Sequence, residues 1–326
     1  MIITRTPLRI SIGGGGTDLP SYYRQFGGAL ISCAIDKYVF IGINKTFTPD
    51  YQVKYSKFER VESIGEIHHP IVREALRLHK MPPGLEMISL ADIPAGTGLG
   101  SSGTFTVGLV RALFAAQKRH VSAEEVAQEA CQIEIDILQQ PVGKQDQYIA
   151  SYGGITCFEF MPDDSVRVAP LNISDQTLSD LEEHLLLFYI GNSRAAVDIL
   201  QDQDKRTLSG DGAMIDNLHF IKDLGLKIKV ALEQGDTKRF ALLMHEHWEM
   251  KRRRSGNMSN GQIDRWYQIG CEAGAIGGKM VGAGGGGFLM FYTRDRTQLR
   301  EAMAREGLVE VDFHFDFDGS TTIVRG

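Results

Sequence analysis

Residues 94–103 read PAGTGLGSSG, a glycine-rich stretch with two adjacent serines. Glycine lets backbone N–H groups approach a polyanion closely, and the first turn of a helix offers unpaired N–H groups with a partial positive charge. Serine hydroxyls can bind a phosphate oxygen or a magnesium ion. The stretch therefore predicts a loop that holds the phosphates of a nucleotide. The residues expected in this loop are Pro94, Gly96, Gly98, Leu99, Gly100, Ser101, Ser102 and Gly103.

The segments on either side of this loop predict a strand before it and a helix after it. Residues 85–91 alternate between apolar and small or polar side chains, which is typical of a strand. Val107, Val110, Leu113 and Phe114 recur at helical spacing. The loop is therefore expected to open a helix, which would supply the N–H groups that bind phosphate.

Other nucleotide-binding patterns fit the loop less well. Residues 98–103 match G-x-G-x-x-G, the dinucleotide fingerprint, which requires an acidic residue about 20 positions later at the end of a strand. Glu124 and Glu125 lie near that distance, but Ser122 and Glu125 form a capping-box pattern that begins a helix. The Walker A pattern does not occur in the chain. A dinucleotide-dependent enzyme is therefore the less favoured alternative.

Two further glycine clusters occur at residues 13–16 and 282–287. Strand-like apolar residues border both clusters, among them Ile10, Ile12, Phe288 and Leu289. Glycine beside a strand can bring bare backbone to the rim of a cleft. The three glycine segments together predict one shared binding cleft.

These motifs resemble those of a known family of kinases. The segments PLRISIGGGGTDLP, AIDKYV, DIPAGTGLGSSGTF and VGKQDQY are similar to signature motifs of the GHMP kinase superfamily and follow its order. Within it they most resemble the bacterial D-glycero-D-manno-heptose 7-phosphate kinases. The resemblance implies an α+β fold of two domains with the active site between them. Residues 1–172 would form an N-terminal domain like ribosomal S5 domain 2, and residues 173–326 a ferredoxin-like C-terminal domain.

The resemblance also implies an activity. A kinase of this group would use ATP and Mg²⁺ to phosphorylate the anomeric C1 hydroxyl of heptose 7-phosphate, giving the 1,7-bisphosphate. The product would serve the synthesis of nucleotide-activated heptose for lipopolysaccharide or capsule. Two alternatives remain open, namely a sugar 1-kinase for fucose, galactose or another hexose, and a catalytically silent homologue that binds sugar and nucleotide.

Glu134 is the candidate metal ligand. It lies within a helical stripe of apolar residues, and a buried carboxylate requires a cation. From the spacing alone, that cation could equally be a metal ion or an arginine. The resemblance assigns Mg²⁺ to Glu134 together with Ser102, and both would offer the oxygen ligands that this ion prefers.

Asp146 is the candidate catalytic residue. Its position after Pro141 and Gly143 is also compatible with a cap for a helix over residues 147–152. The resemblance instead implies that Asp146 receives the proton of the attacking hydroxyl. By the same resemblance, Arg9 would stabilise charge in the transition state.

The acceptor sugar is expected beside the first glycine cluster. The resemblance assigns hydroxyl binding to Asp18, with Gly15, Gly16 and Thr17 around it. Lys144 is a candidate for a phosphate on the substrate, although an exposed lysine in a turn is the commoner outcome. Gly284 and Gly285 of the third cluster are expected to close over the substrate.

The run KRRR at residues 251–254 is the densest positive cluster in the chain. It follows Phe240, Leu243, His247 and Trp248, which mark one face of a helix. A solvated helix end is the favoured interpretation, because cations stabilise a helix C-terminus. Contact with a sugar phosphate is the alternative.

Composition agrees with a globular enzyme. The chain has 326 residues, of which 43% are hydrophobic, and a formal net charge of -6. That charge offers no general attraction to nucleic acid, and no apolar run approaches the length that spans a bilayer. The four cysteines show neither paired nor metal-ligand spacing. We expect a cytoplasmic protein with a small-molecule sugar phosphate as its partner, with no nucleic-acid or membrane partner, and with a homodimer as the candidate assembly.

Overall fold

The computed structural model describes residues 1–191, 196–254 and 258–325, without the side chains of residues 196 and 197. The N-terminal half contains strands β1 (Ile2–Gly13), β2 (Gly28–Lys45), β3 (Tyr51–Lys54), β4 (Phe58–Val61), β5 (Leu85–Ala91), β6 (Ile155–Phe160) and β7 (Val166–Pro170). Its helices are α1 (Pro20–Phe26), α2 (Pro70–Leu78), α3 (Ser101–Ala116), α4 (Ala123–Cys131) and α5 (Gln145–Tyr152). A 3₁₀ turn covers Ile64–Glu66, and a π-helix covers Gln132–Ile137.

The C-terminal half contains more helix. Its helices are α6 (Asp175–His184), α7 (Ala196–Leu208), α8 (Gly212–Glu233), α9 (Thr237–Arg252), α10 (Gly261–Glu272) and α11 (Arg296–Arg305). Its strands are β8 (Leu185–Gly191), β9 (Ala275–Met280), β10 (Gly287–Thr293), β11 (Val309–Glu310) and β12 (Thr321–Arg325).

The strands form two sheets. The larger sheet has the order β12-β1-β2-β5-β3-β4, with β6 pairing with β2 and β7 with β6. The smaller sheet has the order β11-β8-β10-β9, and all its pairs are antiparallel. Its strand order and its βαββαβ succession are those of a ferredoxin-like fold, with α7 to α10 in the first crossover. The α+β, two-domain fold class is therefore confirmed.

The last strand crosses the predicted domain division at residues 172 and 173. β12 pairs with β1 in the larger sheet, although it lies at the end of the C-terminal half. The remaining strands of each sheet fall on their own side of the division. The division at residue 172 stays a prediction.

The strand–loop–helix unit predicted from the sequence is present. β5 covers Leu85–Ala91, and α3 begins at Ser101. α3 packs against β1 and β2, and most of its residues are buried there. Because Gly108 has no side chain, Thr6 on β1 can lie close to the helix. Thr4 Oγ1 on β1 donates a hydrogen bond to the Gly108 carbonyl at 2.9 Å. The helix that follows the loop is thereby fixed on the larger sheet.

Other local predictions can also be compared with the structure. Ser122 and Glu125 form the predicted capping box at the start of α4. The four cysteines are free, and three of them are buried. None of the described helices combines the length and apolarity needed to cross a membrane.

Candidate active site

A cavity of about 770 Å³ collects the three glycine segments. Gly15 and Gly16 line it from the first segment, and Gly96, Gly98 and Gly100 from the second. Gly282 and Ala283 line it from the third segment, between β9 and β10. Segments that are distant in sequence therefore share one cleft, as the sequence indicated.

The third segment packs directly on the central loop. A side chain at Gly98, where φ is +82°, would place its Cβ 3.0 Å from the Val281 carbonyl oxygen. At Gly282, where φ is +79°, the Cβ would lie 2.5 Å from the Gly98 carbonyl oxygen. Only glycine permits this backbone approach without strain.

The structure divides the predicted loop residues into two groups. Gly96, Gly98, Gly100, Ser101 and Ser102 line the cavity, and the Ser101 hydroxyl is buried with no partner among the described residues. The other three predicted residues, Pro94, Leu99 and Gly103, do not line the cavity. The Leu99 side chain belongs to the hydrophobic core, the Pro94 carbonyl accepts a hydrogen bond from Thr97, and Gly103 packs on Asp146.

Asp146 and Arg9 form a partly buried ion pair in the cavity wall, with Arg9 buried and Asp146 partly exposed. Arg9 Nε donates to Asp146 Oδ1 at 2.7 Å, and Arg9 Nη1 donates to the Gly98 carbonyl at 2.5 Å. Asp146 Oδ2 accepts no hydrogen bond from the described residues. α5 begins at Gln145 with Lys144 as its N-cap, so Asp146 lies inside the first turn and is not a cap. The pair ties the candidate catalytic carboxylate to the phosphate loop.

Glu134 is fully buried, as its place in the apolar stripe predicted. The local helix is a π-helix, however, and not the regular α-helix that the sequence suggested. Glu134 Oε1 accepts a hydrogen bond from Ser102 Oγ at 2.5 Å, and Oε2 accepts one from Gln147 Nε2 at 2.8 Å. Both donors are neutral, and no arginine pairs with Glu134 among the described residues. Burial raises the pKa of this carboxyl group above its ordinary value.

The Ser102 hydroxyl and the Glu134 carboxylate lie next to each other and are suitable oxygen ligands for one Mg²⁺ ion. A buried carboxylate without a cationic partner is costly, and a divalent ion would offset that cost. The described residues contain no cluster of three or more His, Cys, Asp or Glu side chains that could hold a metal. Mg²⁺ does not need such a cluster, because it keeps several waters and binds through one or two protein oxygens and the phosphates of its substrate.

Asp18 lies at the cavity beside the first glycine segment. Its Oδ1 accepts a hydrogen bond from the Gly16 N–H at 3.2 Å, and its Oδ2 accepts one from the Gln145 N–H at 3.1 Å. Burial raises the pKa of this carboxyl group. Asp18 does not cap α1, whose N-cap is Leu19. The side chain instead joins the first glycine segment to the start of α5.

Two residues predicted to contact the substrate, Lys144 and Thr17, do not line the cavity. Lys144 Nζ donates to the Asp164 carbonyl at 2.8 Å and lies 4.9 Å from the centre of the Tyr23 ring, outside the cavity. Thr17 is fully buried, and its hydroxyl donates to the Gly14 and Ala29 carbonyls. Both side chains stabilise the loops behind the cavity wall because they already have partners there.

The predicted substrate residues Gly284 and Gly285 pack against Met258, which lines the cavity. The Gly285 N–H donates to the Met258 carbonyl at 3.1 Å, and a Cβ at Gly284 would lie 3.2 Å from Met258 Cα. Within the third glycine segment, the residues that line the cavity are Gly282 and Ala283.

An apolar and aromatic wall was not foreseen from the sequence. Tyr55, His69 and Phe105 line the cavity together with Leu90 and Ile93. The His69 ring stacks on Phe105 with 5.0 Å between ring centres, and Tyr55 meets His69 edge-on at 4.7 Å. Burial lowers the pKa of His69 and so favours its neutral form. A planar aromatic ligand would suit this wall.

A basic wall lies beside the first and third glycine segments. Lys251 and Arg254 come from the end of α9 and the residues after it, and Lys279 comes from β9. Only the first and last residues of the run at 251–254 line the cavity. Arg252 pairs with Glu249 outside it, and Arg253 is exposed. Lys279 had no sequence signal, because one lysine in an apolar strand forms no motif.

A glycine-rich loop at a helix start, with an ion-paired aspartate beside it in the same cavity, is an arrangement that suits a phosphotransferase. The matches to known proteins agree. Residues 68–154 match the GHMP kinases N terminal domain, and residues 228–308 match the GHMP kinases C terminal domain. The chain belongs to the GHMP kinase family.

Individual relatives cover nearly the whole chain. A D-glycero-alpha-D-manno-heptose 7-phosphate kinase of Campylobacter jejuni is 31% identical over 98% of this chain and 97% of its own length. A crystal structure of a D-glycero-D-manno-heptose 1-phosphate kinase from Bacteroides thetaiotaomicron has a TM-score of 0.79 at 24% identity and covers both chains fully. Lactococcus lactis galactokinase complexed with galactose has a TM-score of 0.76 at 16% identity, covering 99% of this chain and 95% of its own. At these identities, the two solved structures support the fold alone.

Proposed function

We propose that this kinase transfers the γ-phosphoryl group of ATP to the anomeric C1 hydroxyl of D-glycero-D-manno-heptose 7-phosphate, giving the 1,7-bisphosphate. The observation that carries the proposal is the position of Asp146. Its carboxylate is held by Arg9 against the phosphate loop, and its Oδ2 has no donor among the described residues. The choice of heptose phosphate is supported by the Campylobacter jejuni relative, which is 31% identical and matches over 97% of its length.

In this mechanism, Asp146 acts on the acceptor hydroxyl. Arg9 occupies Oδ1, so Oδ2 is the oxygen that accepts the proton of the C1 hydroxyl. Arg9 also fixes the carboxylate relative to the Gly98 carbonyl, which sets the angle between the acceptor and the phosphate loop. Because phosphoryl transfer has a loose transition state, this orientation contributes more than early removal of the proton.

The phosphate loop provides the electrophilic half of the site. Backbone N–H groups at the start of α3 and the unpartnered Ser101 hydroxyl would donate to phosphate oxygens. Ser102 and Glu134 would hold Mg²⁺, which when bound neutralises charge on the phosphates. The aromatic wall of Tyr55, His69 and Phe105 would take the adenine ring.

Asp18 and the first glycine segment would bind the sugar. Each carboxylate oxygen of Asp18 already accepts one backbone hydrogen bond and can accept another from a sugar hydroxyl. Gly15 and Gly16 carry no side chains into the cavity, and the lack of one at Gly16 admits the Arg254 guanidinium beside the proposed sugar site.

The test is a phosphoryl-transfer assay with purified protein, ATP and Mg²⁺ on matched acceptors. Heptose 7-phosphate, unphosphorylated heptose, fucose and galactose are compared by kcat/KM, and ³¹P NMR locates the new phosphate. The proposal requires the phosphorylated heptose to be the best acceptor and C1 to be the position modified. Preference for fucose or galactose would make the chain another sugar 1-kinase, and absence of turnover with every acceptor would favour the silent homologue.

Assembly and domain division are separate proposals. We propose a homodimer, which sedimentation would distinguish from a monomer. We also propose that the two domains divide near residue 172, with β12 belonging to the N-terminal sheet. Limited proteolysis would test whether the chain is first cut in that region.

A further inference from the structure

Four basic side chains face one part of the cavity. Lys251, Arg254 and Lys279 are exposed by only 6%, 4% and 1%, and His247 is not exposed at all. His247 and Lys251 lie on α9, Arg254 is the second residue after this helix, and Lys279 lies on β9. All four line the cavity. We call these residues the basic cluster.

The partners of the basic cluster are neutral. Lys251 Nζ donates to the carbonyls of Met280 and Gly282. Arg254 Nε donates to Asn217 Oδ1 at 2.9 Å, and Arg254 Nη1 donates to Gln203 Oε1 at 2.9 Å. Lys279 donates no hydrogen bond to the described residues, and both ring nitrogens of His247 are buried without a partner there.

Acids near the cluster are engaged elsewhere. Asp18 acts electrostatically on Arg254, but its oxygens accept the Gly16 and Gln145 N–H groups. Asp146 is bound to Arg9. No described carboxylate forms an ion pair with a member of the basic cluster. Buried charge without an opposite partner is costly, and an anion bound among these groups would offset that cost.

The pKa values of three members of the cluster are lowered, which agrees with the lack of a carboxylate partner. Burial and the neighbouring cations lower the pKa of Lys279 to about 7. The same causes hold the pKa of Lys251 and of His247 well below their ordinary values. An anion bound among these groups would oppose the shifts, because it favours the protonated forms.

We propose that the basic cluster binds the phosphate ester that the acceptor sugar carries away from its reacting hydroxyl. This inference rests on the proposed function, because it presumes a phosphorylated acceptor. Arg254 supplies a planar fork of donors, Lys251 and Lys279 supply ammonium groups, and His247 can donate one ring N–H to a phosphate oxygen.

The position of Arg254 favours the acceptor over ATP as the source of the phosphate. Its guanidinium lies 3.5 Å from the Gly15 carbonyl oxygen and within 2.5 Å of where a Cβ at Gly16 would stand. This places it beside the segment that contains Asp18, the candidate sugar ligand. The phosphates of ATP are already assigned to the central loop and Ser101, and the accompanying Mg²⁺ to Ser102 and Glu134.

The experiment compares Lys279→Met and Arg254→Lys with wild type. KM and kcat are measured for heptose 7-phosphate, for unphosphorylated heptose and for ATP. We expect KM for the phosphorylated acceptor to rise by about ten-fold or more, because one charge-assisted hydrogen bond is worth at least that factor. KM for ATP and for the unphosphorylated sugar should change by less than about two-fold. Arg253→Gln is the matched control, since it removes one charge from the same run at an exposed position.

A second measurement covers the case in which a variant does not fold. Inorganic phosphate should inhibit the wild-type enzyme competitively against heptose 7-phosphate and not against ATP. Competition against ATP alone, or an equal loss on both acceptors in the variants, would overturn the assignment. Equal use of free and phosphorylated heptose by the wild-type enzyme would instead contradict the proposed function. In that case, competitive inhibition by inorganic phosphate against the acceptor would still show whether the basic cluster binds phosphate.

Discussion

Arg9 and Asp146, which lie 137 positions apart in sequence, meet through a 2.7 Å hydrogen bond between Nε and Oδ1. The second contact of Arg9, to the Gly98 carbonyl, joins this pair to the phosphate loop. A Cβ at Gly103 would lie 2.6 Å from Asp146 Cβ, so the start of α3 must be bare for the carboxylate to sit there. The site therefore depends on β1, α3 and α5 packing together.

Asp146→Asn should lower kcat by about 100-fold or more, because an amide loses the ion pair with Arg9 that orients the group and cannot accept the hydroxyl proton as a carboxylate does. ADP binding should persist, since Asp146 is expected to contact the acceptor. The measurements are steady-state kinetics and calorimetric titration with ADP. Asp318→Asn is the control, because that carboxylate is an exposed partner of Arg5. A near-normal kcat in Asp146→Asn would remove the catalytic assignment.

Glu134→Gln should raise the Mg²⁺ concentration needed for half-maximal activity by about ten-fold or more, because the ion loses an anionic oxygen ligand. The metal-free protein should keep or gain thermal stability, since the raised pKa of Glu134 reflects a buried charge that the neutral amide removes. Gln147 can turn to meet the new amide, because its Oε1 has no partner among the described residues. Unchanged Mg²⁺ dependence would mean that Glu134 is structural.

Lys279→Met should stabilise the ligand-free protein, and the gain should depend on pH. The pKa of Lys279 is lowered from 10.5 to about 7 by burial and by Arg254 and Arg9, against a small opposing effect of Cys33. The unfolded chain thus holds this proton at higher pH than the native state, so wild-type stability rises as pH increases from about 7 towards 10.5. His247 and Lys251 face the same region, and their lowered pKa values act in the same direction, for His247 below its ordinary pKa of 6.5 and for Lys251 below its ordinary pKa of 10.5.

The gain in Tm for Lys279→Met over wild type should therefore be larger at about pH 6 than at about pH 9. Thermal unfolding at both pH values measures it. Lys144→Met is a suitable comparison, because Lys144 has Asp164 as a partner and its removal should destabilise the protein. A Lys279→Met variant that is less stable than wild type at both pH values would contradict the idea of an unpaired buried charge.

Gly282→Ala should raise KM for ATP and lower kcat, because the new Cβ would lie 2.5 Å from the Gly98 carbonyl oxygen and push the third glycine segment off the phosphate loop. Gly307→Ala is the matched control. Both residues have positive φ, at +79° and +75°, but nothing lies within 4 Å of a Cβ at Gly307. Both variants should lose about 1 kcal/mol of stability from backbone strain, and only Gly282→Ala should lose activity. Equal kinetics in the two variants would show that the contact does not support the loop.

The sequence by itself determined the parts of the site that are local. The glycines and serines of residues 94–103, with a strand before them and an apolar helical period after them, identified the loop because phosphate binding by a helix start needs only neighbouring residues. The burial of Glu134 followed from helical periodicity for the same reason. The motif resemblance then gave the fold class and named Arg9 and Asp146 as catalytic candidates, whereas their ion pair is seen only in the structure.

Tertiary structure decided the walls of the cavity. Lys279 carries no pattern of its own and becomes part of a basic cluster only because β9 places it beside the end of α9. Tyr55, His69 and Phe105 pack together from segments that are separated in sequence. Lys144 stood next to the catalytic motif yet turns away, because Asp164 and the Tyr23 ring offer it partners on the other side. Spacing along a chain reports which residues share a helix or a loop, whereas side-chain direction depends on long-range packing.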